Sequence, residues 1–200
     1  MKETKIIFAT GNEHKMEEIR MILEDLKMPI YSLKEMGIDV DIVEDGATFE
    51  ENAIIKATEI AKLTEGIILA DDSGLEIDYL HKEPGIYSAR YAGTDTSYDI
   101  KNRMLLGRLE GVPEEKRTAR FVCVIAAVFP DGTTATVRGT IEGRIGYEII
   151  GENGFGYDPI FYVPEYQCTT AQLSKEKKNE LSHRGKALRQ MRTMIEEKCM

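Results

Sequence analysis

Strand-like and helix-like segments alternate through the first half of the chain, a long β-rich stretch with one central turn follows, and the tail is helical. Alternation asks for parallel strands joined by crossover helices, whereas two strands joined by a short turn pair antiparallel. Together they predict an α/β fold on a mixed β-sheet with flanking helices. No internal repeat, low-complexity tract or composition break marks a linker. Residues 1–200 are therefore expected to form one domain, built as two lobes around a central cleft.

Each element follows from periodicity and its end signals. Ile6-Ile7-Phe8-Ala9 is an apolar strand that stops at Thr10-Gly11-Asn12. Met16, Ile19, Leu23 and Leu26 then recur at helical spacing, predicting an amphipathic helix over 13–26 that ends before Pro29. "IYSL" is a short strand, and residues 34–48 are acidic and irregular, an exposed loop. In "TFEENAIIKATEIAKLTEG" Thr48 caps a helix, Glu51 sits at capping-box spacing and Gly66 stops it. "GIILADDSG" is a second buried strand running into acids and a glycine turn. "YDIKNRMLLGRLEG" is a further helix. "RFVCVIAAVFPDGTTATVRGTIEGRI" is a hairpin turning at Pro130-Asp131-Gly132. The helical tail from Leu173 is interrupted near "LSHRG", where Ser182 can cap the last helix.

Bulk composition excludes several classes. With 42% hydrophobic and 30% charged residues, the chain has an ordinary globular balance and enough apolar surface for a core. A net charge of −9 argues against a nucleic-acid partner, while leaving room for a local cationic cleft that takes a small anion. The longest apolar run, Phe121 to Phe129, falls short of the roughly 20 residues that span a bilayer, so no membrane partner is expected. The start "MKETKIIFATGN" lacks a signal-peptide core with a small-residue cleavage site. Cys123, Cys168 and Cys199 are odd in number and lack C-x-x-C spacing, which suits reduced thiols and a cytoplasmic protein.

Four polar clusters carry the chemistry. The opening turn places backbone N–H groups at a helix N-terminus, with Thr10 and Asn12 expected to add side-chain donors and Lys15 a full charge. That is a geometry for phosphate, although a plain strand-to-helix turn would look the same. It is not a Walker loop, because G-x-x-x-x-G-K-[ST] is absent. Asp71 and Asp72 follow a strongly apolar run, and adjacent carboxylates there need cations or donors. Strand alternation lets one face a cleft, binding a metal or activating water, while the other serves structure. An Asx turn made with Ser73 and Gly74 is the alternative. In "GENGFGYDPIFYVPE", glycines alternate with Phe155 and Tyr157, which suits close approach to a flat ligand or, equally, inward packing. In "LSKEKKNELSHRGKAL", most lysines form a solvated face, but Ser182-His183-Arg184 gathers donors at a helix start. An acidic metal site, scattered cations, an aromatic and base-reading donors together suit a magnesium nucleoside triphosphate.

These stretches, "FATGNEHKMEEI", "TFEENAIIKA", "ADDSGLEID" continuing to "PGIYSARYAG", "GFGYDPIF" and "LSKEKKNELSHRGKAL", lie in one order over nearly the whole chain. In this the sequence resembles the inosine triphosphate pyrophosphatase family, the dITP/XTP pyrophosphatases that clear non-standard purine nucleotides. The resemblance implies an elongated mixed sheet with two lobes around a nucleotide cleft, Mg²⁺ as cofactor and a homodimer. It implies phosphate binding by Thr10, Gly11, Asn12, Glu13, His14 and Lys15, with Lys56 as a further phosphate contact. Asp72 becomes the catalytic acid, Ser73 a substrate contact, and Glu44 with Asp72 the magnesium ligands, with Asp41 and Asp45 as near alternatives to Glu44. Nucleotide contacts fall on Phe155, Gly156, Tyr157, Asp158, Lys178, His183 and Arg184. The implied reaction is attack of water on the α-phosphorus of ITP, dITP or XTP, releasing monophosphate and pyrophosphate. A nucleotide-binding sensor that does not hydrolyse, or a pyrophosphatase for another modified nucleotide, would share most of these features. The sensor would have little need for paired aspartates.

Overall fold

The computed structural model describes residues 4–199; residues 1–3, which open the stretch read for a signal peptide, and residue 200 lie outside the described residues. Its sheet has seven strands in the order β2-β1-β3-β4-β5-β6-β7. β1 (Ile6–Phe8) pairs in parallel with β2 (Ile30–Ser32) and with β3 (Ile67–Ile77). β4 (Thr118–Val128) and β5 (Thr134–Ile145) are neighbours joined by a tight turn in which the Gly132 N–H donates to the Phe129 carbonyl. β5, β6 (Phe161–Val163) and β7 (Cys168–Thr169) pair antiparallel, so the sheet is mixed, as expected.

Among the described residues five α-helices accompany the strands: α1 (Glu13–Leu23), α2 (Phe49–Ala61), α3 (Tyr98–Arg108), α4 (Lys175–Leu181) and α5 (His183–Cys199). α1 forms because Met16, Ile19 and Leu23 make one buried stripe, and a short 3₁₀ turn carries the coil on to Leu26. At α2 the Thr48 hydroxyl caps the Glu51 N–H, but the Glu51 carboxylate reaches the Ala47 N–H, one residue before the capping-box position. α2 ends at Ala61, well before Gly66, whose φ of +140° instead serves the entry to β3 against Lys5. Ser182 separates α4 from α5.

One sequence expectation fails in an instructive way. β3 does not stop at the aspartates; it continues through Asp71, Asp72, Ser73 and Gly74 to Ile77. No Asx turn forms, because Asp71 finds cationic partners inside the fold and the backbone stays in its ladder.

The chain divides into two compact units: Met1–Asp72, Cys123–Gly139 and Arg184–Met200 in the first, Ser73–Val122 and Thr140–His183 in the second. Each has its own core. In the first, Ile6, Phe8, Ile19, Leu69, Ile125 and Leu188 pack together. In the second, Leu75, Leu105, Phe121, Ile145, Ile160 and Phe161 do so. Burial pushes the Cys123 thiol in the first core up to about 12, so it behaves as a small hydrophobe.

Candidate active site

In the first unit the opening turn is built by its own side chains. The Thr10 hydroxyl accepts the Asn12 N–H at 3.1 Å, and the Asn12 side chain caps α1 by accepting the Lys15 N–H at 3.1 Å. Thr10 and Asn12 thus shape the turn as acceptors of backbone N–H groups, not as the donors expected from sequence, while Gly11, Asn12, Glu13 and His14 are exposed at the positive end of α1. The Lys15 ammonium is 2.9 Å from Asp71, its nearest carboxylate.

Asp71 and Asp72 are neighbours on β3, so their side chains leave on opposite faces. Asp71 is 1% exposed and receives Lys15 at 2.9 Å and Arg184 at 3.3 Å; Arg184 also pairs with Glu18 at 2.6 Å. Burial opposes its charge, but Lys15, Arg184 and the more distant Lys56 outweigh burial and hold the carboxyl far below the usual carboxylate range. It is a permanently ionised anchor.

Asp72 has the opposite environment. Its Oδ2 accepts the Asn52 amide at 3.2 Å, and its Oδ1 lies 3.9 Å from the Lys56 ammonium. Burial raises it to about 6 against Lys56 and Asn52, with the nearby charges of Glu44 and Asp71 adding to the rise. Two adjacent carboxyls pushed apart in this way are a signature of divided roles, one holding charge and one exchanging protons. Glu44 completes the centre: it is half-buried with its carboxylate 3.1 Å from Lys56, whereas Asp41 and Asp45 are exposed.

The donor set fits a hard divalent cation. Glu44 and Asp72 both offer carboxylate oxygens around the same lysine, with no histidine or thiol in the set. Among the described residues no cluster of three or more His, Cys, Asp or Glu stands ready to wrap a metal. Two carboxylates that leave room for further oxygen ligands suit an open hard-cation site rather than a closed structural one.

In the second unit the glycine-rich segment is organised around Asp158, which is 3% exposed. Its carboxylate accepts the Phe155 N–H at 2.8 Å, the Thr170 hydroxyl at 2.8 Å and the Lys178 ammonium at 2.7 Å. Lys178 also lies over the Phe155 ring, 4.6 Å from its centroid. Gly154 has φ +73°, and a Cβ there would sit 2.2 Å from Asp158 Oδ2, so only glycine allows the turn to close on that carboxylate. Tyr157 is buried: its hydroxyl donates to the Ser88 carbonyl at 2.7 Å and its ring meets Tyr98 edge-on at 5.2 Å. Of the two aromatics, then, Tyr157 is core and the half-buried Phe155 is the one placed nearer the surface. His183 stacks on Phe121 at 4.9 Å with an interplanar angle of 18°.

The expected residues fall into two sets. Thr10 to Lys15, Glu44, Lys56, Asp72 and Arg184 lie in the first unit; Ser73, Phe155 to Asp158, Lys178 and His183 lie in the second. Arg184, expected to read a base, is engaged by Asp71 and Glu18. Sequence reasoning missed Asn52, which donates to Asp72, and Glu18, which shares Arg184. It also missed Asn102, whose amide donates to the Gly156 carbonyl at 3.1 Å. A polar residue on an otherwise apolar helix face is the readable signal for Asn52, which shares the buried side of α2 with Phe49, Ala53, Ala57 and Ile60.

Fold and centre define an α/β protein on a mixed sheet whose third strand carries one neutralised and one poised aspartate. The chain belongs to the Ham1 family, whose model matches residues 6–194. It is 48% identical over 194 residues to a protein of Clostridium perfringens named dITP/XTP pyrophosphatase, covering 94% of this chain and 95% of the relative. A relative of the same name from Desulforamulus reducens is 50% identical over 185 residues, 92% of each chain. The fold is similar to that of the Staphylococcus aureus Ham1 protein, with a TM-score of 0.87 at 44% identity over 98% of this chain and 100% of the other. A HAM1 protein from Coxiella burnetii gives a TM-score of 0.88 at 43% identity over 97% and 99%.

Proposed function

We propose that this chain is a nucleoside triphosphate pyrophosphatase that hydrolyses ITP, dITP and XTP to the monophosphate and pyrophosphate, clearing non-standard purines from the nucleotide pool. The observation that carries the reading is the opposed state of Asp71 and Asp72: one carboxyl fixed as an anion, its neighbour raised to about 6 beside Lys56 and Glu44. The similar proteins of C. perfringens and D. reducens, named dITP/XTP pyrophosphatases, support the substrate class.

Water attacks the α-phosphorus and Asp72 takes its proton. A base that titrates near neutrality is half-matched to its task before substrate arrives. Glu44 and Asp72 would hold Mg²⁺, which when bound neutralises charge on the triphosphate. Lys56 and the N-terminal end of α1 with Thr10 to Lys15 meet the charge that collects on the leaving pyrophosphate. In the second unit Ser73, Phe155, Gly156, Lys178 and His183 contact the nucleotide, with the buried Tyr157 and Asp158 holding that loop in shape; in the first, Arg184 acts through Asp71. Hypoxanthine and xanthine present a 6-oxo oxygen where adenine presents an amino group. A donor from His183 would pair with the oxygen and be left unsatisfied by adenine, a penalty of about 1–3 kcal/mol. The protein is proposed to work as a cytoplasmic homodimer.

A panel of ITP, dITP, XTP, GTP, ATP and modified pyrimidine triphosphates, assayed with Mg²⁺ for pyrophosphate and orthophosphate separately, tests this. Pyrophosphate from the first three in preference to ATP and GTP is the expected result. Orthophosphate alone, no product, or a pyrimidine preference would contradict it.

A further inference from the structure

Asn52 is fully buried on α2, on the face whose other members, Phe49, Ala53, Ala57 and Ile60, are apolar. A buried amide without partners would destabilise such a helix, so where its hydrogen bonds go is informative. Its Oδ1 accepts the Gly46 N–H at 2.9 Å and its Nδ2 donates to Asp72 Oδ2 at 3.2 Å. The amide's orientation is forced: a backbone N–H only donates, so the oxygen faces Gly46 and the nitrogen faces the carboxylate.

The loop before α2 has no regular structure, and two of its N–H groups are taken from the first turn of that helix, Ala47 by Glu51 and Gly46 by Asn52. Gly46 lies so close that a Cβ there would be 2.7 Å from Asn52 Oδ1 and 2.7 Å from Glu51 Cβ. Two residues earlier the same loop carries Glu44, which meets Lys56 at 3.1 Å. Lys56 is four residues beyond Asn52, one turn further along the same face of α2. α2 therefore presents a neutral donor and a cation to the two carboxylates in consecutive turns.

We propose that Asn52 is a positioning residue of the hydrolytic centre. It ties the Glu44 loop and one oxygen of Asp72 to a single side chain, so that both carboxylates face Lys56 at a fixed separation. A neutral amide can do this without neutralising either acid, which a lysine or arginine in its place would do. The idea rests on the proposed function for its consequence in turnover, and on geometry alone for its consequence in cation binding.

Two variants separate the two bonds. Asn52→Leu keeps the volume and removes both; Gly46→Ala pushes the loop away and leaves the Asn52–Asp72 bond in place. For each, circular dichroism and melting establish the folded fraction, and initial rates give kcat, KM and the Mg²⁺ concentration for half-maximal rate. Calorimetry follows Mg²⁺ binding without nucleotide. Asn52→Leu should lower kcat about tenfold or more with KM little changed, and weaken Mg²⁺ by about tenfold in both rate and calorimetric titrations. Gly46→Ala should weaken Mg²⁺ with a much smaller loss of kcat. A loss of rate that merely tracks the folded fraction, with Mg²⁺ binding unchanged in both variants, would make Asn52 structural and overturn the proposal. If Asn52→Leu does not fold, unchanged Mg²⁺ binding by Gly46→Ala is enough to overturn it. If the wild-type chain releases no pyrophosphate from any triphosphate, the functional reading fails, and the calorimetric titrations still decide for or against Asn52.

Discussion

Asp71 and Asp72 are the same residue type one position apart, and their surroundings give them opposite properties. Asp71 sits in an interlocked set with Lys15, Arg184 and Glu18. Replacing it by Asn takes a buried carboxylate from Lys15 and from Arg184, which keeps Glu18, and breaking a buried pair costs far more than the pair itself contributes. Asp71→Asn should therefore lower stability by about 3 kcal/mol, read as a drop in urea midpoint. A midpoint unchanged from wild type would contradict the anchor role. Asp72 carries the reverse linkage. Its carboxyl is raised from 3.8 to about 6, so the folded state binds the extra proton between those values and stability falls as pH rises through 6. Without metal, Asp72→Asn should melt higher than wild type at pH 8, by an amount corresponding to about 2–3 kcal/mol, and near wild type at pH 3.5. Melting scans in EDTA at the two pH values check this; equal melting at pH 8 would mean the carboxyl is not strained by burial.

Among the elements, β3 shows where sequence reading succeeds and where it stops. The apolar run Ile67 to Ala70 announces a buried strand, and two acids after it look like an end. The strand continues because its partners for Asp71 come from residues 15 and 184, and no local pattern signals a compensation that distant. Glu44 is similar: nothing in "DIVEDG" distinguishes it from Asp41 or Asp45, and only the resemblance singles it out, while its neighbour Lys56, 3.1 Å away, comes from a helix turn twelve residues on. Local signals fared better at Thr48, which caps α2 through a bond to the residue three ahead, than at Asn12, read as a donor and found as the acceptor that caps α1. The glycine segment was legible as a close-approach loop but not in its reason, which is the buried Asp158 gathering Phe155, Thr170 and Lys178. Gly154→Ala adds an αL penalty and a clash with that carboxylate, and should lower kcat/KM for the nucleotide about tenfold or more through displaced Lys178 and Phe155. Steady-state kinetics test it; a wild-type kcat/KM would remove the loop from substrate binding.

For the molecule as a whole, an acidic chain of net charge −9 is proposed to take a polyanion, which requires its cations to be concentrated where they matter. The first unit does this with Lys15, Lys56 and Arg184 around two aspartates, and each cation is held by carboxylates in the structure described. The mixed sheet and helical flanks were readable from periodicity, and two lobes were expected, but which segments make up each of the two units follows from contacts far apart in sequence. What ties these scales together is the claim that Asp72 is the proton acceptor of a pyrophosphate-releasing reaction. The direct measurement is pyrophosphate release from XTP with Mg²⁺ by wild type and by Asp72→Asn, each shown to be folded. The expected result is turnover by wild type and a loss of about 100-fold or more in the variant, while XTP still binds. Turnover by Asp72→Asn within about threefold of wild type, against the 10²–10⁴ that a general base contributes, would contradict the account.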